Sequence, residues 1–238
     1  MQKWAIDFIK WCDDNEIEVP RTERGLLELE VFEAKNKGLT SLHPSIVYLK
    51  RLRRIDLSNN VLKDLPTLPQ NLITLILKNN IFSEIPQNIR GLGYFSHLLI
   101  ADNMIEEIPS WIGEIEDLRT LDLRNNKLKT IRGVKNSKNL KHLLVSSNAI
   151  EDISPIYGLE NLEIFDFYDN KVKAFDKRIR KLKKLDIFTG FENQIKDFDL
   201  LYLMTNKKTE IRVELVDSFK FRLYRAWVFC KNILKRKK

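Results

Sequence analysis

Cysteine is scarce in this sequence, which contains only Cys12 and Cys230 among its 238 residues. Two cysteines cannot supply the disulfide framework that stabilises many small secreted domains. Such scarcity favours free thiols in a reducing compartment. We therefore expect a cytoplasmic protein, and secretion by a route that needs no signal sequence stays open as the alternative.

Long apolar runs are also missing. No uncharged run approaches the ~18 residues that a membrane-spanning helix needs. The first residues do not read as a signal peptide either, because Asp7, Lys10, Asp13 and Asp14 interrupt any apolar core. These two absences predict a soluble protein.

Motifs of catalysis are the third absence. The sequence has no glycine-rich phosphate loop, no dinucleotide-binding fingerprint and no nucleophile elbow. Neither cysteine has a histidine nearby in sequence, and both fall on predicted buried helix faces, where a thiol is usually inert. We expect a protein that is not an enzyme and that holds neither a cofactor nor a metal ion.

Charge is abundant, with a formal net charge of +8, but it is unevenly distributed. Residues 1–34 hold four Lys or Arg against nine Asp or Glu, whereas residues 199–238 hold eleven against four. A basic end can contact an anionic partner such as nucleic acid or lipid head groups, or it can simply be a solvated cap.

The most regular feature is an asparagine that returns every 20 to 23 residues. Each asparagine closes the frame apolar-x-x-apolar-x-apolar-x-x-Asn-x-apolar, as in Leu118, Leu121, Leu123, Asn126 and Leu128. The seven positions are Asn60, Asn80, Asn103, Asn126, Asn148, Asn170 and Asn193. A period in this range predicts a solenoid of stacked supersecondary units.

Within each unit, the apolar-x-apolar step has the period of a short β-strand. In the fifth unit Leu121 and Leu123 would point inward, whereas Thr120, Asp122 and Arg124 would point outward. Strands of successive units would pair in parallel, and the asparagine follows where the chain turns away. Its side chain both donates and accepts, so the stacked asparagines are expected to form a ladder that satisfies backbone groups of the turns.

This frame resembles that of leucine-rich-repeat proteins over residues 29–198. Its eight units begin at Leu29, Leu52, Leu72, Phe95, Leu118, Leu140, Leu162 and Leu185. The resemblance implies an α/β fold, a horseshoe-shaped solenoid with a parallel β-sheet on the concave face and short 3₁₀ or irregular segments on the convex face. Residues 65–69 (Leu-Pro-Thr-Leu-Pro) look like bacterial effector repeats and residues 152–156 (Asp-Ile-Ser-Pro-Ile) like internalin repeats, so a bacterial origin is expected.

Residues 1–28 are predicted to form an N-terminal helical cap within the same structural domain. Trp4, Phe8, Trp11 and Cys12 share one face of a helix. That face would cover the first repeat, because an open solenoid end must be shielded from water. The alternative is a helix that docks on a partner.

Residues 199–238 are predicted to form the C-terminal cap. A second helical stripe consists of Phe219, Leu223, Trp227, Cys230 and Leu234. The opposite face is basic, and the chain ends in Lys235, Arg236, Lys237 and Lys238. This amphipathic helix either covers the last repeat or meets an anionic membrane surface or an acidic protein.

Distances along the predicted stack exclude two other kinds of site. Eight strands spaced ~4.8 Å apart place Cys12 and Cys230 roughly 35–40 Å from each other, too far for a disulfide. His97 and His142 occupy equivalent positions two strands apart, almost 10 Å by the same spacing. Zinc ligands lie about 2 Å from the metal, so we expect no shared metal ion.

The repeat frame fails at two positions. Lys37 stands where the first unit should carry asparagine, as is common in terminal repeats. Gly190 stands at an inward strand position of the eighth unit, where a missing side chain leaves a gap or lets another segment approach. We therefore expect the stack to end there, with a cap packed nearby.

The outward strand positions should form a continuous concave surface that can vary without disturbing the core. Ile76, Leu99 and Leu144 are aliphatic where solvent is expected, and Ile164, Tyr168, Ile187 and Phe191 would form a contiguous apolar patch. Exposed patches of this kind usually mark binding sites. The candidate partner-binding residues are Leu99, Asp122, Arg124, His142, Leu144, Ile164, Asp166, Tyr168, Ile187 and Phe191. Alternatively, the C-terminal helix folds back over the patch.

These patterns predict a non-catalytic module, a monomer, that binds a protein partner through its concave face. Asp166, Asp169 and Glu192 lie beside the patch and would repel phosphates, so no nucleic acid is expected on this face. The alternative is a peripheral scaffold that the basic residues 235–238 tether weakly to an anionic membrane or an acidic partner.

Overall fold

The computed structural model describes residues 1–175, 177–195 and 210–212. Two helices come first, α1 (Lys3–Asp14) and α2 (Glu23–Leu27). The strands that follow are β1 (Val31–Glu33), β2 (Arg54–Asp56), β3 (Thr74–Ile76), β4 (His97–Leu99), β5 (Thr120–Asp122), β6 (His142–Leu144), β7 (Ile164–Asp166), β8 (Ile187–Thr189) and β9 (Glu210–Arg212). The described return legs carry 3₁₀ helices at Pro44–Tyr48, Gln87–Ile89, Ser110–Glu114, Arg132–Val134, Ser154–Gly158 and Lys177–Lys181.

The strands form one parallel sheet whose order follows the sequence from β1 to β9. Their register is constant, because the first residue of each strand lies opposite the first residue of the next. An in-register stack places equal frame positions in straight rows across the sheet. The predicted α/β solenoid with a parallel concave sheet is therefore confirmed.

The inward positions of the units merge into one continuous core. In the fifth unit, Leu121, Leu123 and Leu128 are fully buried. Burying one such side chain contributes about 1.5–3 kcal/mol. Because each unit can bury its apolar side only against its neighbours, this core runs the length of the stack.

Helix α1 covers the first end of this core. Phe8 and Cys12 are fully buried, and the Phe8 ring lies 5.8 Å from the ring of Phe32 in β1. Trp4 and Trp11 are partly buried against the same core. Burial also raises the pKa of the Cys12 thiol to about 12, so this free cysteine is protonated at neutral pH. The apolar face of α1 thus packs against the first repeat, as the predicted N-terminal cap requires.

The turn after each strand is closed by the recurring asparagine. Asn126 Nδ2 donates to the carbonyl oxygens of Ile100 and Leu123, each at 3.1 Å. Its Oδ1 accepts from the backbone N–H of Ile105 at 2.8 Å. Equivalent bonds surround the other six asparagines. One amide therefore binds two neighbouring repeats together at every step.

A second, outer ladder was not predicted from the sequence. The residue before each ladder asparagine has a positive φ, between 51° and 59°. Asparagine tolerates this left-handed conformation better than most residues. In the first units these side chains bond to one another, Asn59 donating to Asn36 at 2.8 Å and Asn79 to Asn59 at 3.0 Å.

The end of the stack differs from the expectation. Gly190 leaves no gap, because the Phe167 ring of the preceding repeat approaches closely and fills the space beside it. The sheet also continues, since β9 pairs with β8 inside the segment that the sequence assigns to the C-terminal cap. The described sheet has nine strands rather than eight. A strand needs only in-register backbone bonds to join a parallel sheet, so the asparagine frame undercounts the strands.

The predicted C-terminal amphipathic helix, Cys230 and the basic residues 235–238 lie outside the described residues. Whether that helix covers the concave patch is therefore a sequence-based alternative only. Within residues 1–175, 177–195 and 210–212, no helix combines the length and the apolar character needed to cross a membrane.

Candidate functional site: the concave surface

The outward residues of β4 to β8 form three rows across the concave face. The first row is His97, Thr120, His142, Ile164 and Ile187, and the second is Leu99, Asp122, Leu144, Asp166 and Thr189. The third row lies just beyond the strands and includes Arg124, Tyr168 and Phe191. All ten candidate partner-binding residues lie in these rows, so the structure brings them to one face.

An apolar patch occupies the part of this face nearest the C-terminus. Ile164 and Ile187 lie directly opposite each other on β7 and β8. Tyr168 and Phe191 follow the same two strands. The backbone hydrogen bond from Asp169 N–H to the Phe191 carbonyl, 2.9 Å long, keeps the two segments in register. All four apolar side chains are half-buried. Each of these side chains packs partly against the sheet, and the rest of its surface is accessible.

Asp122 differs from the expectation, because its side chain is only 2% exposed. Both of its oxygens accept hydrogen bonds from Arg124, at 2.8 Å from Nε and 2.6 Å from Nη2. The hydrogen bond that Arg124 donates to Asp122 raises the pKa of the Arg124 guanidinium. Asp122 is therefore buried beneath Arg124 rather than open to solvent. It orients Arg124, whose side chain is 41% exposed.

The aliphatic positions of the second row are also more buried than expected. Ile76, in the equivalent position of β3, is buried, with only 8% of its surface exposed. Leu99 and Leu144 are half-buried and remain accessible in part. The difference arises because short parallel strands bring outward side chains of adjacent units within contact distance.

A charged cluster beside the patch was missed by sequence reasoning. Lys141 Nζ donates to Glu163 at 2.7 Å, and His142 Nε2 lies 3.7 Å from the other Glu163 oxygen. The hydrogen bond from Lys141 holds the pKa of Glu163 below its usual value. Lys141 and Glu163 immediately precede β6 and β7, and their opposite charges in adjacent repeats are the pattern that would have revealed the pair.

His97 and His142 share the first row, separated by Thr120. Thr120 Oγ1 lies 3.4 Å from His142 Nδ1. In the part of the chain that the structure describes, no group of His, Cys, Asp and Glu is arranged to hold a metal ion. Burial, with smaller contributions from His142 and Arg119, lowers the pKa of His97. Both histidines are thus half-buried groups on the concave face.

The lowered pKa of His97 predicts a pH dependence of stability. Below the ordinary histidine pKa of about 6.5, the unfolded chain binds a proton at this residue more tightly than the folded chain does. The native protein should therefore lose stability relative to His97→Asn as the pH falls from 8 towards 5. Urea denaturation of both proteins at several pH values measures this difference. A stability difference that stays constant across the range would contradict it.

Comparison with known proteins agrees with this architecture. Residues 138–180 match the family model for leucine rich repeats in two copies. Osteomodulin from Bos taurus is 34% identical over 108 residues, which make up 44% of this chain and 25% of osteomodulin. This chain therefore spans about a quarter of the length of that curated relative.

Solved structures show the same fold. An internalin C2 from Listeria monocytogenes superposes with a TM-score of 0.75 at 21% identity, over 89% of this chain and 93% of the internalin. The plant peptide hormone receptor RGFR1, solved in complex with RGF2, gives a TM-score of 0.63 at 20% identity, over 74% of this chain and 30% of the receptor. At such identities the likeness shows the fold alone.

The matched segment agrees with the fold. Residues 138–180 match leucine rich repeats, and the described residues form a leucine-rich-repeat solenoid. Similar proteins come from cattle, plants and bacteria. The bacterial origin expected from the two repeat subtypes therefore stays a prediction.

Proposed function

We propose that this protein is a non-catalytic module that binds a protein partner through its concave face. The observation that carries the proposal is the apolar patch of Ile164, Tyr168, Ile187 and Phe191 at outward sheet positions. Outward positions of an isolated sheet normally carry polar residues, and clustered apolar ones usually mark a contact surface. RGFR1, a receptor with the same fold, is a peptide hormone receptor solved with its ligand, which supports peptide or protein binding here.

The charged groups beside the patch suit a protein ligand. Arg124 is held by Asp122 and Lys141 is held by Glu163, so both cations sit in defined positions next to the apolar surface. Aromatic and arginine side chains dominate the energetics of many protein interfaces, ringed by polar groups. Asp166 and Asp169 would repel a phosphate backbone, which favours protein over nucleic acid on this face.

A monomer in the cytoplasm is the setting that we propose for this activity. It rests on the sequence-based expectation of a reducing compartment, and the buried free thiol of Cys12 fits that expectation. A mass measurement in solution by light scattering tests the monomer.

Truncating both aromatic anchors should weaken partner binding. We expect the Tyr168→Ala plus Phe191→Ala double variant to bind its partner roughly thirtyfold more weakly than the native chain, since each of the two interface anchors typically contributes about 1 kcal/mol or more. The measurement is quantitative affinity capture of partner proteins from a lysate of the source organism, followed by binding titration of each captured protein.

A matched control is Val61→Ala plus Ile81→Ala. These aliphatic side chains are 44% and 42% exposed and lie outside the concave rows, so their removal should leave capture unchanged. Circular dichroism establishes that both double variants are folded. If the folded Tyr168/Phe191 variant retains every partner at native affinity, the concave patch is not the binding site.

A further inference from the structure

A groove of about 530 Å³ lies away from the concave patch, at the edge of the sheet where the chain enters the first strands. Its lining residues are Glu30, Arg51, Arg53, Asn71, Ile73 and Tyr94. It lies beside the shortest unit. Residues 57–73 form a return leg without a helix, whereas the legs on either side contain the 3₁₀ helices Pro44–Tyr48 and Gln87–Ile89.

Two side chains in this groove break the polar pattern of the edge. The residue before strands β1 to β8 is polar or charged in every unit except one, where it is Ile73. Three residues before each of these strands, the units carry Glu, Arg, Asn, Asp or Lys, except the unit before β4, which carries Tyr94. Tyr94 is 64% exposed. An aliphatic and an aromatic side chain thus line one groove, whereas the equivalent positions of the other units are hydrophilic, which indicates recognition rather than solvation.

Arginine side chains supply the positive charge of the groove. Arg51 pairs with Glu28, but exposed Arg53 makes no ion pair with any carboxylate among the described residues. Arg53 is fixed in place by its backbone, because its N–H donates to the Glu30 carbonyl at 2.8 Å. An accessible arginine next to an apolar surface is suited to bind a carboxylate.

Acceptors for backbone N–H groups complete the lining. Asn71 Nδ2 donates to the Lys50 carbonyl at 2.8 Å, which fixes the amide and leaves Oδ1 as an acceptor. The exposed carboxylate of Glu30 accepts no hydrogen bond from another described residue. The groove therefore offers a cation, an apolar surface and hydrogen-bond acceptors side by side.

We propose that this groove binds an extended peptide segment of a partner protein in which an acidic side chain stands next to an aromatic or aliphatic one. The carboxylate contacts Arg53, and the apolar side chain packs on Ile73 and Tyr94. Peptide N–H groups donate to Asn71 Oδ1 and to Glu30. A basic segment is disfavoured, because it would bring further positive charge beside Arg51 and Arg53. This second site is independent of the concave patch.

The test uses two tetrapeptide probes with blocked ends, Gly-Asp-Phe-Gly and its uncharged counterpart Gly-Asn-Phe-Gly. Titration into the ¹⁵N-labelled full chain should shift backbone amides around residues 30, 51–53, 71–73 and 94. The Asp probe should bind roughly fivefold more tightly than the Asn probe, the fold-change that corresponds to about 1 kcal/mol for one exposed charge pair. A probe with lysine in place of Asp should bind more weakly than either, because the lining carries two arginines, Arg51 and Arg53, against one carboxylate, Glu30.

Matched variants locate the carboxylate contact. In Arg53→Gln the two probes should bind equally, whereas Arg119→Gln, at the same frame position three units further on, should keep the fivefold preference. Tyr94→Ala should weaken both probes by a similar factor. The Tyr168→Ala plus Phe191→Ala variant should bind both probes like the native chain, which separates this site from the concave one. The proposal is overturned if the probes shift no groove amides or if Arg53→Gln keeps the preference.

Discussion

Replacing Asn170 by alanine should destabilise the fold by about 3 kcal/mol, since buried backbone groups that lose their partners cost roughly 1–3 kcal/mol each. The Asn170 Nδ2 donates to the carbonyls of Val145 and Phe167, each at 3.0 Å, and to that of Tyr168 at 3.2 Å. Its Oδ1 accepts from Ile150 N–H at 2.9 Å. Alanine removes all four bonds inside a site closed to water. Urea unfolding followed by circular dichroism measures the loss.

Asn139 provides the control for this substitution. Its Nδ2 also bonds to a carbonyl of the preceding unit, that of Glu116 at 2.8 Å, but the bond is exposed. Water can replace it, so Asn139→Ala should cost less than about 1 kcal/mol. Asn170→Asp should be no better than Asn170→Ala at neutral pH, because a carboxylate would face three carbonyl oxygens. Equal costs for Asn170→Ala and Asn139→Ala would show that the inner ladder contributes no more than an exposed bond.

Gly190→Ala should be the second severe substitution. A Cβ at this position would lie 2.2 Å from Cζ of Phe167 and 2.6 Å from its Cε2. The Phe167 ring has little freedom to move, because the rings of Phe165 and Phe188 are centred 4.8 Å and 4.9 Å from it. We expect a cost of about 3 kcal/mol, at the upper end of the usual range for overpacking a core.

A double variant tests the stated cause. In the double variant Gly190→Ala plus Phe167→Leu, leucine replaces the ring and leaves space for the added methyl group. The loss of unfolding free energy should therefore be smaller than the sum of the losses in the two single variants. Gly158→Ala is the control, because a Cβ there meets no atom within 4 Å. Its unfolding free energy should stay within about 0.5 kcal/mol of the native value. Additive costs for the double variant would mean that Phe167 is not the obstacle.

Most of the fold could be predicted because the frame repeats. The spacing of Leu121, Leu123 and Asn126 locates strands β1 to β8 to within a residue or two, since a period-two step between a core residue and a turn leaves no other register. The same frame assigns the outward rows, and hence the ten concave candidates. The frame could not predict β9, which joins the sheet through its backbone without the asparagine.

Side-chain environments were less predictable than strand positions. The alternation places Asp122 outward, yet the adjacent Arg124 covers it, because two side chains on neighbouring outward positions can fold onto each other. Gly190 shows the converse case. The sequence marks a missing side chain, but only the packed structure shows that an aromatic ring from the preceding unit fills the space.

The groove at Arg53 and Tyr94 is likewise a feature that the structure shows and that the sequence does not predict. Its members are 41 residues apart in sequence and belong to different return legs, so no local pattern joins them. Ile73 and Tyr94 each differ in residue type from the equivalent positions of the other units, but neither difference by itself predicts a groove. Their combination becomes visible when the short unit brings the legs before β2, β3 and β4 to one edge.

The sequence by itself determined the periodic part of this protein: strands β1 to β8, their parallel order, the inner asparagine ladder and the outward rows of the concave face. These follow from local spacing, because one unit cannot bury its apolar side except against its neighbours. The tertiary structure decided what depends on contacts between units, namely the burial of Asp122, the ring that fills the space at Gly190, the Lys141–Glu163 pair and the groove. Side chains from different repeats meet there at distances that no spacing within a single unit encodes.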